Sequence, residues 1–159
     1  MLSPFFMYLY TKIIDMRLNE DFINNIHIIK DKVGNDYLYD LNNGNYKIGE
    51  VMVRELDAWG IERLFDYYPF LEKYLDKRSY PIYEIHNYGI RKSVREMGYG
   101  KYLLDEVIND FGKYTLILQA GGNNEKMSQK NLVKMYERNG FKVLDGFRNY
   151  GCFMIRKPD

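Results

Sequence analysis

The sequence predicts one α/β domain (mixed α+β), residues 1–159, in which helices cover both faces of a mixed central sheet. The first third alternates strand-like runs with polar turns, which is typical of an antiparallel meander. Two later runs, beginning near Gly98 and Ser128, have the spacing of amphipathic helices. Between them Tyr114–Gln119 is almost continuously apolar, as expected for a strand covered on both faces. A chain of 159 residues with 46% hydrophobic content suits a single domain with one core.

The N-terminal half is predicted to contain strands followed by a helical region. Residues 1–20 form an uncertain extension, with a strand or a short helix over Phe5–Ile14. The next predicted elements are strands and turns in alternation: a strand at Ile23–Ile29, a turn at Lys30–Gly34, a strand at Asp36–Leu41, a hairpin turn at Asn42–Asn45 and a strand at Tyr46–Leu56. Ala58–Lys77 has helical spacing, and Pro69 should break or kink it. Its predicted apolar stripe consists of Trp59, Leu64, Tyr67, Tyr68, Leu71 and Leu75.

The C-terminal half is predicted to alternate strands and helices. In order, the elements are a strand at Ile82–Ile90, a helix at Gly98–Phe111, a strand at Tyr114–Gln119, a helix from a Ser128 N-cap to a Gly140 stop, and strands at Phe141–Leu144 and Tyr150–Arg156. A turn beginning at Asp145-Gly146 separates the last two strands. The buried stripe of the first of these helices is predicted to be Tyr102, Leu103, Val107, Ile108 and Phe111.

Bulk composition argues against several classes of protein. A net charge of +1 gives no overall attraction to nucleic acid or to an anionic membrane, so neither partner is expected. No apolar run is long enough to span a bilayer, and Met1–Tyr10 lacks the features of a signal peptide. A single cysteine, Cys152, excludes an internal disulfide and fits a reducing compartment, so a cytoplasmic location is expected. The chain has two histidines, His27 and His86, so no metal site is expected.

The segment Arg95-Glu96-Met97-Gly98-Tyr99-Gly100-Lys101 lies between a predicted strand and a predicted helix. A strand that turns through glycines into a helix leaves unpaired backbone N–H groups at the positive end of the helix dipole. Such a helix start binds phosphate oxygens, and glycine lets the main chain approach them closely. Leu103 replaces the third glycine of the dinucleotide fingerprint, and Arg95 and Tyr102 do not fit a Walker loop. The segment alone predicts either a phosphate-bearing ligand or merely a glycine-loosened helix start.

Two motifs together resemble a known superfamily. Arg95-x-x-Gly98-x-Gly100 resembles the pyrophosphate-binding signature of the GNAT acetyltransferases, which bind acetyl-CoA. The segment from Tyr136 to Gly140-Phe141 is similar to the Tyr-x-x-x-Gly-Phe helix end of the same superfamily. The resemblance covers roughly Tyr80–Lys157 and implies a GNAT-like sheet with splayed central strands. The superfamily usually has two helices between its first two strands, whereas here the helical region follows the third predicted strand, which leaves the shape of the acceptor groove open.

The resemblance implies a set of residues that bind the cofactor. Pantetheine would lie in the gap between the splayed strands and pair with the main chain of Tyr88, Gly89 and Ile90. Gly89 suits a bulge that frees main-chain groups there, or is merely tolerated near a strand end. The pyrophosphate loop would comprise Arg95, Glu96, Met97, Gly98, Tyr99, Gly100 and Lys101, although Lys101 also fits a plain surface lysine. Gln129 lies where many members have an asparagine that contacts CoA.

Glu84 and Tyr136 are the predicted catalytic residues. Glu84 lies 14 residues before Gly98 (98 − 84), as does a catalytic glutamate in histone-acetylating members, and would act as general base. Strand alternation places Glu84, His86 and Tyr88 on one face, so His86 is the alternative base and a water chain is a third. A solvated carboxylate and a structural histidine are the plain alternatives. Tyr136 matches the tyrosine that many members hold near the CoA sulfur as general acid, or else it packs as a core aromatic.

The expected function is therefore transfer of an acetyl group from acetyl-CoA to a primary amine by direct attack. The acceptor is either a protein lysine or N-terminus, or a small-molecule amine. A non-catalytic acyl-CoA-binding or partner-binding module on the same fold is the alternative. The protein is expected to be a monomer or a homodimer and to use no metal.

Overall fold

The structure, a computed structural model, describes residues 3–5, 7, 25–76, 79–94, 97–121, 129–144 and 151–159. These residues form a seven-stranded sheet in the order β1-β2-β3-β4-β5-β7-β6. The strands are β1 (Ile26–Val33), β2 (Asp36–Asn43), β3 (Tyr46–Leu56), β4 (Ile82–Ile90), β5 (Thr115–Ala120), β6 (Lys142–Val143) and β7 (Cys152–Arg156). Among these described strands β4 and β5 pair in parallel, and the other neighbours pair antiparallel. The predicted mixed sheet with an antiparallel N-terminal meander is confirmed.

The described residues also contain three α-helices, which are α1 (Ala58–Tyr67), α2 (Tyr99–Phe111) and α3 (Gln129–Arg138). At the start of α1 the Asp57 carboxylate accepts a hydrogen bond from the Gly60 N–H at 2.8 Å, which makes Asp57 the N-cap. The helix ends before Pro69, and a short 3-10 helix, Pro69–Lys73, follows it. The predicted break at Pro69 is therefore confirmed, as is the position of this helical region after the third strand.

The helices cover both faces of the sheet, as predicted. On one face α2 and α3 pack over a first core, which includes Tyr83, Leu103, Leu104, Val107, Leu118, Val133 and Phe141. On the opposite face α1 and the 3-10 helix pack over a second core, which includes Leu56, Ile61, Leu71, Ile82, Ile117 and Phe153. Strands β4 and β5 contribute alternate residues to the two cores, which accounts for the nearly continuous apolar run in β5.

Two turns are shorter than the sequence predicts. Lys30–Val33 belongs to β1 rather than to a turn, because these residues pair with β2. The chain reverses over Gly34-Asn35 instead. In the same way Asn42-Asn43 belongs to β2, and the next turn is Gly44-Asn45. In β1 the polar residues continue the strand because it is an edge strand whose side chains are mostly exposed. In β2 the side chain of Asn42 is buried, and its Nδ2 donates to the Asp40 carbonyl oxygen at 3.2 Å.

Two predicted helix stripes include residues that the structure exposes to solvent. In α1, Trp59 and Tyr67 are 64% and 69% exposed, and the Arg63 guanidinium lies 4.7 and 5.9 Å from their ring centroids. In α2, Tyr102 is 45% exposed, and Leu104 is buried in its place. Aromatic rings fit a helical apolar pattern on either side of a helix, and the aliphatic side chains decide which side is buried.

Arg156, buried in β7, joins the ends of α2 and α3. Its Nη1 donates to the Gly112 carbonyl oxygen at 3.1 Å, and its Nε donates to the Asn139 carbonyl oxygen at 3.2 Å. Its Nη2 lies 2.8 Å from the exposed Asp159 carboxylate. One cation therefore serves the C-terminal ends of two helices, where the negative ends of their dipoles lie.

Several predicted features lie outside the described residues. They are most of the extension at residues 1–20, the loop residues Arg95 and Glu96, the Ser128 N-cap and the turn at Asp145-Gly146. Within the described part of the chain, no helix is long and apolar enough to cross a bilayer.

Candidate active site

Strands β4 and β5 separate halfway along β4. Parallel pairing joins Ile82–Ile85 to Thr115–Leu118, but β4 continues to Ile90 and β5 continues to Ala120. Over its last residues β5 pairs with β7 on its other side. Among the described residues, the two strands do not pair with each other beyond Ile85. A gap therefore opens between them at His86, which confirms the predicted splay.

A β-bulge in β4 lies where this gap opens. Met52 of β3 pairs with His86, but Glu50 pairs with Gly89, so β4 has one residue more than β3 in this stretch. Within the bulge Asn87 has a φ of 50°, in the left-handed region. The sequence pattern indicates a bulge at Gly89 and does not single out Asn87, although asparagine is among the residues that adopt this conformation most readily.

The bulge turns Tyr88 away from Glu84 and His86. Tyr88 packs against the first core, and its ring centroid lies 6.1 Å from that of Tyr136. Glu84 and His86 stay on the face of Ile82, which belongs to the second core. The predicted common face of Glu84, His86 and Tyr88 is therefore wrong, because one extra residue reverses the alternation of side chains.

The Tyr88 hydroxyl reaches the first turn of α2. A Cβ added to Gly100 would lie 2.6 Å from Tyr88 Oη, so a side chain at position 100 would displace this hydroxyl. Tyr88 Oη is buried and has no hydrogen-bond partner within the described residues. Burial raises the pKa of the Tyr88 phenol well above its ordinary value, so the hydroxyl is protonated at neutral pH.

The start of α2 is open to a ligand. Gly98 is its N-cap, with a φ of 83° in the left-handed region, and no side chain caps the helix. The Tyr102 N–H donates to the Gly98 carbonyl oxygen at 3.1 Å as the first intrahelical bond, so the N–H groups of Gly100 and Lys101 precede the helical hydrogen-bond ladder. Among the described residues, and apart from the chain neighbours of Gly98, no atom lies within 4 Å of a Cβ added to Gly98, which leaves room for a phosphate group. These features fit a phosphate-bearing ligand.

The side chains that flank this helix start contribute less to it. Met97 is exposed, and Tyr99 is buried in the first core. Lys101 is exposed and forms an ion pair with Asp105 one turn later, at 2.6 Å. Its position agrees with the surface lysine that the sequence left as an alternative.

Glu84 and His86 lie beside each other on the second-core face of β4. His86 Nε2 is 3.2 Å from Glu84 Oε1, an ion-pair distance, but the two atoms do not form a hydrogen bond. Both side chains are partly buried. Across the strand from Glu84 lies Arg54, whose guanidinium Nε donates to Asp36 at 2.7 Å. An amine at this face would meet a carboxylate and an imidazole together.

Tyr136 and Gln129 lie on α3, at the other side of the gap. Tyr136 is buried, and its ring packs edge to face on Phe141, with centroids 5.7 Å apart. Burial raises the pKa of its phenol well above the ordinary value. Gln129 Nε2 donates to the Ala120 carbonyl oxygen at 3.3 Å and thereby ties the start of α3 to the end of β5.

The predicted site residues thus divide between the two faces of β4. Tyr88 and Tyr136 lie beside each other on the first-core face, and the Tyr88 hydroxyl lies against the start of α2. Glu84 lies on the opposite face, within the part of β4 that still pairs with β5. The gap that opens at His86 borders both faces, so it is the place where groups from the two sides can meet one ligand.

A cavity of about 560 Å³ lies elsewhere, at the C-terminal end of α2. Its lining includes Lys32, Tyr37, Tyr83 and Tyr114, and none of the predicted site residues. Among the described residues, no group of three or more histidine, cysteine, aspartate or glutamate side chains is placed to hold a metal ion.

Comparison with known proteins identifies the fold. No protein-family model and no curated protein matches the sequence. A GNAT family acetyltransferase from Elizabethkingia anophelis, solved with acetyl-CoA bound, is 16% identical with a TM-score of 0.56, over 84% of this chain and 99% of that one. An N-acyl amino acid synthase from uncultured soil microbes is 12% identical with a TM-score of 0.55, over 99% and 88% of the two chains.

A GNAT-family protein from Bacteroides thetaiotaomicron is 16% identical with a TM-score of 0.50, over 81% of this chain and 65% of that one. Likeness at such identities concerns the fold. The observed sheet order, the separation of β4 from β5 and the glycine start of α2 agree with it. The described part of the chain has the fold of the GNAT acetyltransferases.

Proposed function

We propose that the protein is an N-acyltransferase that transfers an acetyl group from acetyl-CoA to a primary amine by direct attack. The separation of β4 from β5 beside the uncapped start of α2 carries this proposal. A gap between strands can bind an extended ligand through main-chain groups, while a helix start binds its phosphates. The match to a structure with acetyl-CoA bound supports the same class of ligand.

The chain offers two kinds of contact to acetyl-CoA. Main-chain groups of Tyr88, Gly89 and Ile90 border the gap and would pair with pantetheine. The backbone of Met97–Lys101 would bind the diphosphate, with the open side of Gly98 toward it. Arg95, Glu96 and the side chains of Lys101 and Gln129 complete the proposed contacts.

Glu84 is the proposed general base. Acetyl-CoA would supply the acetyl group as a thioester, and the attacking amine must lose a proton to the protein or to water. Glu84 can accept it directly, and His86, 3.2 Å away, is the alternative acceptor. A positioned base of this kind typically contributes about 10²–10⁴ in rate.

Tyr136 is the proposed proton donor to the departing thiolate. Because burial raises its pKa, the phenol is protonated at neutral pH and its hydroxyl can donate. The same burial makes it a weaker acid than a phenol in water. Its contribution is therefore proposed as a hydrogen bond that strengthens while negative charge develops on sulfur.

The proposed acceptors are a protein lysine or N-terminus, or a small-molecule amine. A non-catalytic acyl-CoA-binding module is the second candidate, and the burial of Tyr136 within the first core favours it. In either case we propose a cytoplasmic protein, monomeric or homodimeric, that acts without nucleic acid, membrane or metal. The match to an N-acyl amino acid synthase, whose name does not specify an acetyl group, makes a second acyl donor part of the test.

Release of free thiol from acetyl-CoA and from a long-chain acyl-CoA, measured across a panel of amines, tests the proposal. The panel contains a polyamine, single amino acids, a lysine-containing peptide and a peptide with a free N-terminus. Release that depends on the amine supports acyl transfer. Binding of CoA without release would identify a binding module, and absence of binding would reject both candidates.

A further inference from the structure

We propose that the side-chain hydroxyl of Tyr88 donates a hydrogen bond to the diphosphate of bound CoA. The inference rests on the proposed function and extends it, because only the main chain of Tyr88 has a role in the site so far. It makes Tyr88 a ligand-binding side chain on the first-core face of β4.

Tyr88 Oη is an unsatisfied polar atom at the proposed site. Within the described residues two buried side-chain polar atoms lack a hydrogen-bond partner, Tyr88 Oη and His86 Nε2, and both belong to β4 at the gap. A buried hydroxyl without a partner is unfavourable, and most folded proteins keep few such groups. A partner that arrives with a ligand accounts for this one.

The position of the hydroxyl indicates which part of CoA supplies that partner. Tyr88 Oη lies against Gly100, in the first turn of α2, which is the turn proposed to bind the diphosphate. The space beside Gly98 is open, whereas the space beside Gly100 is filled by this hydroxyl. The phenol and the uncapped N–H groups are all neutral donors, and a diphosphate is an anionic acceptor that can satisfy several donors at once.

The hydroxyl oxygen is enclosed in the free protein, so a ligand reaches it only after a small shift of the Tyr88 ring or of the first turn of α2. The bulge makes such a shift feasible, because β4 is not paired with β5 there. The free-energy cost of this movement offsets part of the free energy of the hydrogen bond. We therefore expect the bond from this neutral donor to the charged diphosphate to raise the affinity for CoA about tenfold.

Isothermal titration calorimetry with CoA and the variant Tyr88→Phe tests the inference. The dissociation constant should rise about tenfold relative to wild type. The urea midpoint of the free variant should be unchanged or higher, because the removed oxygen had no partner. Tyr102→Phe, at an exposed tyrosine of α2, is the matched control and should change neither quantity.

Dephospho-CoA retains the diphosphate, so the change from wild type to Tyr88→Phe should raise its dissociation constant by the same factor as that of CoA. The inference is overturned if Tyr88→Phe binds CoA as tightly as wild type does, or if the loss occurs with CoA but not with dephospho-CoA. A large loss of stability in the free variant also overturns it, because the hydroxyl would then be bonded within the chain. A wild-type protein that does not bind CoA rejects the proposed function itself, which is a separate result.

Discussion

The hydroxyl of Tyr88 occupies the space that a side chain at Gly100 would need. A Cβ on Gly100 would lie 2.6 Å from Tyr88 Oη but 3.6 Å from Tyr88 Cζ, which is an ordinary contact. The conflict is therefore with one oxygen atom rather than with the ring. The second glycine of the loop is explained by packing within the chain, whether or not it also faces a ligand.

Gly100→Ala should therefore destabilise the protein, although alanine is favoured over glycine in a helix by about 1 kcal/mol. In a Tyr88→Phe background the same change should stabilise by roughly 0.5–1 kcal/mol, because the helix preference remains and the conflict is gone. Urea unfolding of the two single variants and the double variant measures both effects. Additive changes in the free energy of unfolding would show that the two residues do not conflict.

Gly98→Asp should remove the increase in melting temperature that CoA produces in the wild type. A ligand that binds only the folded state raises the melting temperature by mass action. Aspartate adds bulk and negative charge where the structure leaves open space for a phosphate. Differential scanning fluorimetry with and without CoA measures the shift.

Gly98→Asn is the matched control for charge, since asparagine has the same shape as aspartate and tolerates the left-handed φ of 83° at this position. It should keep more of the CoA shift than Gly98→Asp does. Should the aspartate variant be folded and as strongly stabilised by CoA as the wild type, the diphosphate does not bind at this helix start.

Arg156→Met should destabilise the protein by roughly 2–4 kcal/mol in urea unfolding. The change leaves the buried carbonyl group of Gly112 and the partly buried carbonyl group of Asn139 without their charged donor. Asp159→Asn, which alters only the exposed partner of Arg156, should cost less than about 1 kcal/mol. Equal losses in the two variants would mean that the ion pair matters and the helix ends do not.

The main architecture follows from patterns that are local in sequence. The turn of a strand through Gly98 into a helix, and the helix end at Gly140-Phe141, predict the order of elements there, and the resemblance that these motifs carry implies the splayed strands. Three other features depend on contacts that no local pattern contains. The face of Tyr88 depends on one extra residue in β4, which an alternating pattern cannot register. Arg156 is an ordinary strand-end arginine in the sequence, and its burial arises because two helix ends converge on it. Trp59 is exposed, although its spacing fits the predicted apolar stripe of α1, because the helical period alone does not show which side of a helix is buried.

Tyr136→Phe should make the stability of the protein less sensitive to alkaline pH. The raised pKa of Tyr136 means that the folded state binds the phenolic proton more tightly than the unfolded state does. The stability from this difference is fully present below the unfolded pKa of about 10 and is lost as the pH rises above it. The urea midpoint should therefore fall less between about pH 8 and pH 11 in the variant than in the wild type. A fall of the same size in both proteins would show that the Tyr136 hydroxyl is not the group concerned.

Glu84→Gln should lower the turnover of acetyl transfer by roughly 10²–10⁴-fold if Glu84 is the general base. Glutamine keeps the size and polarity of the side chain but cannot accept the proton of the amine. Binding of CoA should barely change, because Glu84 lies on the second-core face of β4, opposite the start of α2. The loss should shrink at high pH, where more of the amine is already deprotonated. Glu62→Gln, at an exposed site on α1, is the control and should have no effect at any pH.

Full activity in Glu84→Gln together with a loss in His86→Ala would instead assign the base to His86, which lies 3.2 Å from the carboxylate. If neither change matters while Tyr136→Phe slows turnover at every pH, a water chain removes the proton and the glutamate is not the base.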